Sequence, residues 1–179
     1  AGLDTSAVKM RIMILERGWN ALYNPRVKAI TSRDAETGEH TDAVSAASFL
    51  GPYAGMTDHL GETLDHFDRF ARVANYMVPS FDPEHERFDS ARYWRGPVWN
   101  VVNCSIGKGL ADIGEVERAR RIAQDTIALS EKSGFYEYFD PISGAGYGGN
   151  SFTWTASVIL DWALPFDDEY PAMKAAANG

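Results

Sequence analysis

Leu60, Leu64, Phe67, Phe70 and Val73 recur at spacings of three and four, with Glu62, Asp65, Asp68 and Arg72 between them. Residues 60–73 therefore predict an amphipathic helix with one packed and one solvated face. Val8, Ile12, Trp19 and Tyr23 predict another over residues 5–24, with Asp4, Thr5 and Ser6 available to cap it and Asn24-Pro25 to end it. Val44, Ala47, Phe49 and Leu50 read as a short helix stopped by Gly51-Pro52. Pro97 suits the first position of a helix, where its missing N–H costs nothing, and Val98, Val101, Val102, Ile106 and Leu110 continue the pattern to Gly114. Glu115 to Ser130 repeats the theme through Val116, Ala119, Ile122, Ala123 and Leu129, and Ser133-Gly134 closes it. Ser151 can cap a last helix carrying Trp154, Val158, Ile159, Trp162 and Ala163 before Pro165.

About six helices with almost no alternating strand pattern predict an all-α fold. Residues 31–41 and 79–89 read as polar loops, no linker divides the chain, and the alanine-rich tail from Pro171 to Gly179 reads as frayed. With 179 residues, 45% of them apolar, the chain has the length and the apolar content for one domain with a real core. A formal charge of -8 argues against nucleic acid or an anionic membrane as partner and favours neutral or weakly charged ligands. Cys104 is the sole cysteine, and His40, His59, His66 and His85 lack zinc-site spacing, so no metal or other cofactor is implied. No apolar run reaches membrane-spanning length and no signal peptide is readable, which points to a soluble, cytoplasmic protein. The start, Ala1-Gly2-Leu3-Asp4, carries no initiator Met, so the chain is expected to be a processed or truncated piece of something longer.

Three aromatic stretches carry the candidate chemistry: Tyr93-Trp94-Arg95-Gly96-Pro97-Val98-Trp99, Gly134-Phe135-Tyr136-Glu137-Tyr138-Phe139-Asp140-Pro141 and Phe152-Thr153-Trp154-Thr155-Ala156. Aromatic planes can stack on the apolar face of a sugar, and a carboxylate beside them can activate water. Together the stretches resemble the C-terminal half of glycoside hydrolase family 63, nearest its glucosylglycerate and mannosylglycerate hydrolases, and the resemblance covers roughly residues 40–165. The resemblance implies an (α/α)6 toroid of twelve helices, of which residues 1–179 would form about half as the C-terminal portion of one catalytic domain. It also implies hydrolysis of an α-glucoside or α-mannoside with inversion. An inverting glycosidase uses a carboxylic acid and a carboxylate roughly 6.5 to 9.5 Å apart.

By motif position Glu137 matches the family's general base. The matching general acid is an Asp far N-terminal to these motifs, onto which no residue here maps, so the chain alone is expected to lack the complete dyad. Tyr93, Trp94 and Trp99 resemble residues lining the family's sugar pocket, although plain core packing also accounts for such aromatics. Trp162 reads as core, Trp154 is open between the two roles, and Arg95 either holds a loop or carboxylate or sits at the surface. Gly144-Ala145-Gly146-Tyr147-Gly148-Gly149 satisfies a dinucleotide-binding spacing, but Asp140-Pro141 interrupts the strand that such a site needs; the glycines better suit close approach of a loop to ligand or to Glu137. Asn103-Cys104-Ser105 falls inside a predicted helix, against glycosylation. The expected partners are carbohydrate and the missing N-terminal half of the barrel, whose absence should expose apolar helix faces. The alternative is a non-catalytic carbohydrate-binding or interaction domain that keeps the fold.

Overall fold

The computed structural model describes residues 4–169. Five α-helices dominate: α1 (Ser6–Asn20), α2 (Leu60–Val73), α3 (Asn100–Asp112), α4 (Val116–Ser133) and α5 (Thr153–Val158). The last runs on through a π-turn over Ile159–Ala163 into helical residues 164–169. The fold is all-α, as predicted. The helix expected over residues 44–50 is instead a single 3-10 turn, Ala46–Phe49, capped reciprocally by Ser45 and Ser48, and Pro52 opens a second such turn. The first helix stops at Asn20, short of the predicted end, because Tyr23–Asn24 (β1) pairs with Ala29–Ile30 (β2) in a small hairpin.

The core lies where α2, α3, α4 and the α5 continuation converge. Phe49 meets Phe67 and Phe70 edge-on at 5.9 and 5.3 Å, and Ile106, Leu110, Ile122 and Ala123 complete the buried cluster. Full burial of one such phenylalanine stabilises the fold by about 1.5–3 kcal/mol. Trp162 is buried here, as expected, its ring lying where a side chain at Gly107 would be. Ion pairs tie the helices to their loops: Arg69 of α2 grips both oxygens of Asp82 at 2.8 and 2.7 Å, and Arg118 of α4 does the same to Asp68 of α2 at 2.9 and 2.7 Å. The Asn103 amide donates to the carbonyl of Met77 at 2.7 Å from a fully buried position, which leaves no room for a glycan there.

Across one side of the helices runs a ribbon of short extended segments. Ser45 bridges Phe81, Pro79 bridges Val98, and Val98 bridges Phe139, all antiparallel. Phe139 belongs to β3 (Tyr138–Phe139), which pairs with β4 (Gly146–Tyr147). Four pairings thus join segments from five parts of the chain. Val98 and Phe139 exchange both backbone hydrogen bonds, at 2.7 and 2.9 Å, and the Pro97 carbonyl accepts from the Ser80 N–H at 2.9 Å. The placement of Pro97 at the start of a helix is therefore corrected: residues 97 and 98 are ribbon, and α3 begins at Asn100 with Trp99 as its extended N-cap. Pro97 still spends no donor, because a ribbon residue can offer its carbonyl alone.

The first helix contrasts with the rest. None of its residues is buried, and Val8, Met10, Ile12, Met13, Ile14 and Leu15 are 48 to 64% exposed. Those positions surround the helix axis rather than forming one stripe, a pattern typical of helices packed on all sides. No helix among the described residues is long and apolar enough to cross a membrane. The tail reading for Pro171 to Gly179 lies outside the described residues.

Candidate active site

Glu137 stands just before β3, on a segment held from three directions. Its N–H donates to the Gly149 carbonyl at 3.1 Å, the Thr155 hydroxyl donates to the Tyr136 carbonyl at 2.7 Å, and the Phe152 N–H donates to the Phe135 carbonyl at 2.8 Å. These bonds bring the second and third aromatic stretches together. The first arrives through the ribbon, since Val98 pairs with Phe139 two residues beyond Glu137.

Residues 89–96 form a compact turn: the Asp89 N–H donates to the Arg95 carbonyl at 2.9 Å and the Arg92 N–H to the Asp89 carbonyl at 3.0 Å. Within it Tyr93 adopts φ +24°, a left-handed value that costs a non-glycine residue about 1–3 kcal/mol. Its neighbours hold it there. The Trp99 indole N–H donates to the Tyr93 carbonyl at 2.9 Å, and the Tyr93 hydroxyl donates to Glu137 Oε1 at 3.0 Å. The carboxylate beside the phenol, and secondarily burial, raise the Tyr93 pKa above its ordinary value, so the hydroxyl keeps its proton and stays a donor at neutral pH.

Aromatic rings form a column beside this pair. Trp94 stacks on Trp99 with centroids 4.2 Å apart and planes 6° from parallel, Trp99 stacks on Tyr138 at 4.9 Å, and Tyr138 lies tilted against Tyr147 at 5.8 Å. Tyr93 meets Trp94, Trp99 and Tyr138 edge-on. Trp94 and Tyr93 are 54% and 48% exposed, whereas Trp99 is 2% exposed with both faces covered. Of the three aromatic residues expected to line a sugar pocket, two present surface and Trp99 is placed behind them, because the stack leaves it no free face. Trp154, open in the sequence, packs edge-on to Trp99 at 6.1 Å.

Gly148 closes the arrangement. It takes φ +76°, and a Cβ placed there would lie 2.7 Å from the Cβ of Glu137 and closer still to Oε2. The glycine-rich stretch thus ends an antiparallel hairpin and passes close to Glu137; it does not open a parallel βαβ unit. Sequence reasoning did not single out Ser90 or Asp140 as site residues. The Ser90 hydroxyl donates to Asp140 Oδ2 at 2.8 Å, tying the Tyr93 turn to the Glu137 hairpin, yet neither residue lies in a pattern that marks such a pairing.

Trp94 also lines a cleft of 480 Å³ together with Ser32, Thr41, Ser45, Ser80 and Arg87. Arg87 is paired with Asp42 at 3.0 Å. Arg95 is half-buried, and its Nε has no hydrogen-bond partner among the described residues. A carboxylate with a fixed phenol donor, one aromatic face open to a ligand and hydroxyl-lined space nearby can bind a sugar and take a proton from water.

A family model described as the mannosylglycerate hydrolase MGH1-like glycoside hydrolase domain matches residues 1–155. The chain is 39% identical over 150 residues to a mannosylglycerate hydrolase of Thermus thermophilus, an alignment covering 82% of this chain and 36% of that protein. It is 36% identical over 86 residues to a glucosylglycerate hydrolase of Mycolicibacterium hassiacum, covering 48% of this chain and 19% of that one. Among solved structures, a GH63 mannosylglycerate hydrolase from Thermus thermophilus in complex with Tris superposes with a TM-score of 0.85 at 35% identity, over 89% of this chain and 39% of that chain. The chain spans less than two-fifths of the length of these relatives.

Proposed function

The chain belongs to the mannosylglycerate hydrolase MGH1-like glycoside hydrolases of family GH63, and we propose that residues 1–179 are the C-terminal portion of a single (α/α)6 catalytic domain. In that domain Glu137 is the general base of an inverting α-glycosidase. It removes a proton from the water that attacks the anomeric carbon, while a carboxylic acid from a segment outside this chain protonates the leaving oxygen. Trp94 and Tyr93 form the sugar-facing wall, and Trp99 contributes to it from behind as the plane on which Trp94 rests. The observation that carries this reading is the hydrogen bond from Tyr93 to Glu137 beside an exposed indole.

The substrate is an α-mannoside or α-glucoside such as mannosylglycerate or glucosylglycerate, the compounds that name the relatives. A cleft that combines four hydroxyl side chains with Arg87 beside Trp94 suits a small hydroxylated acid as the group released. The partner of the apolar helix α1 is the remaining part of the barrel, which would cover the side chains left open here.

The test joins or mixes this chain with a segment carrying the rest of the domain and measures hydrolysis of mannosylglycerate and glucosylglycerate. Turnover should appear, and Glu137→Gln should then lower kcat by about 10²–10⁴ with the fold intact. Full activity in that variant removes Glu137 from the role of base. Sugar binding with no turnover in any combination would mark a non-catalytic binding domain.

A further inference from the structure

The motifs assign Tyr93 to the sugar, but its hydroxyl is committed elsewhere. It donates to Oε1 of Glu137 at 3.0 Å, from a backbone held at φ +24° by the Trp99 indole bond to its carbonyl. The ring is fixed by edge contacts to Trp99 at 4.8 Å and Tyr138 at 5.2 Å. The turn that carries it is tied to the hairpin that carries Glu137 through Ser90 and Asp140. On the other side of the carboxylate, Gly148 lies against Oε2, where a Cβ would collide with the Glu137 side chain.

We infer that Tyr93 is a positioning residue which, by occupying Oε1, assigns proton abstraction to Oε2, and that the lack of a side chain at Gly148 lets Glu137 keep this orientation. This rests on the reading of Glu137 as the base. In the step so defined, an O–H bond of water breaks and its proton passes to Oε2. The water oxygen bonds to the anomeric carbon as the glycosidic C–O bond breaks, and the leaving oxygen takes its proton from the acid outside this chain. A carboxylate held by one oxygen cannot swing its other oxygen away from the attacking water, which is the orientational part of such catalysis. The phenol remains protonated at working pH because the neighbouring carboxylate opposes its ionisation.

Tyr93→Phe keeps the ring and its edge contacts and removes only the hydroxyl. In the assembled domain it should lower kcat about tenfold or more while KM stays within about twofold, the signature of an interaction that matters in the transition state. A raised KM at unchanged kcat would make Tyr93 an ordinary sugar contact and overturn the inference. Gly148→Ala should also lower kcat; retained kcat there overturns the assignment of Oε2. A readout that needs no turnover uses this chain with ¹³Cζ-labelled tyrosine: Glu137→Gln should bring the Tyr93 titration midpoint down toward its ordinary value, and an unmoved midpoint means that the bond does not exist in solution. The two levels separate cleanly. If Glu137→Gln is inactive but Tyr93→Phe matches wild type, positioning fails alone; if Glu137→Gln is active, the base assignment itself fails.

Discussion

The hydroxyl of Ser90 donates to Asp140 Oδ2 at 2.8 Å across 50 positions of sequence. Asp140 is buried, and its other oxygen accepts the N–H groups of Ile142 and Ser143 at 2.7 and 3.0 Å, so one side chain both shapes the hairpin and anchors the turn bearing Tyr93. Asp140→Ala should cost about 1–3 kcal/mol, since it leaves backbone donors without a partner, and Ser90→Ala about 0.5–1.5 kcal/mol. Urea unfolding of the two variants checks the order. Equal costs would mean that the Ser90 bond, not the hairpin, dominates.

Trp94 and Trp99 are parallel and in contact, yet they should fail differently. Trp99→Ala removes a buried ring and the donor to the Tyr93 carbonyl, with an expected loss of about 3–5 kcal/mol of stability. Trp94→Ala removes an exposed ring and should leave stability within about 1 kcal/mol while weakening binding of a mannoside or glucoside. Thermal unfolding and calorimetric sugar titration of both variants separate the roles.

Asp125 gives a pH signature. It accepts from the Met77 N–H at 2.8 Å and from Arg121 Nε at 2.7 Å, but burial outweighs these donors and pushes its carboxyl above the ordinary value. A carboxyl with a raised folded-state pKa contributes most below its unfolded value, about pH 4, and loses that contribution as pH rises through the folded value. Asp125→Asn does not titrate. The stability of wild type relative to this variant should therefore fall as pH rises from about 4, measured by urea unfolding at a series of pH values; a rising difference reverses the sign and refutes it.

Helix α1 predicts association. Ile12→Glu and Leu15→Glu alter exposed positions, so each should change the stability of the chain by less than about 0.5 kcal/mol. The pair should nonetheless reduce self-association in sedimentation velocity and impair assembly with the rest of the domain. A wild-type chain that stays monomeric at high concentration would show that the apolar helix needs no cover.

What is legible in the sequence follows from periodicity. The helix Leu60–Val73 has the bounds its apolar spacing predicts, because that pattern is strong and uninterrupted. The ribbon is not legible, since Ser45, Pro79, Val98 and Phe139 each enter through single bridges and a period of two cannot show in one residue. That is also why the sequence places Pro97 in a helix: Val98 fits the apolar repeat of α3, and its pairings with Pro79 and Phe139 withdraw it. At the site, the motifs point to Glu137, Tyr93, Trp94 and Trp99, but not to which of them face outward. Exposure depends on stacking order, and the sequence does not state that Trp94 lies on top of Trp99. Ser90 and Asp140 are an ordinary serine and aspartate until the fold brings them within hydrogen-bonding distance.

The ribbon has one more consequence. Among the described residues, the contacts named above that orient Glu137 come from residues 90–155, so on the proposed reading the base is aimed before any other segment joins. If the acid lies on the other piece of the domain, the gap in which water must fit is a dimension of the seam between the two pieces, not of either alone. Changes to the apolar residues along that seam would then tune the spacing of the two carboxylates, and with it the rate and stereochemical fidelity of the reaction, from positions far from any sugar.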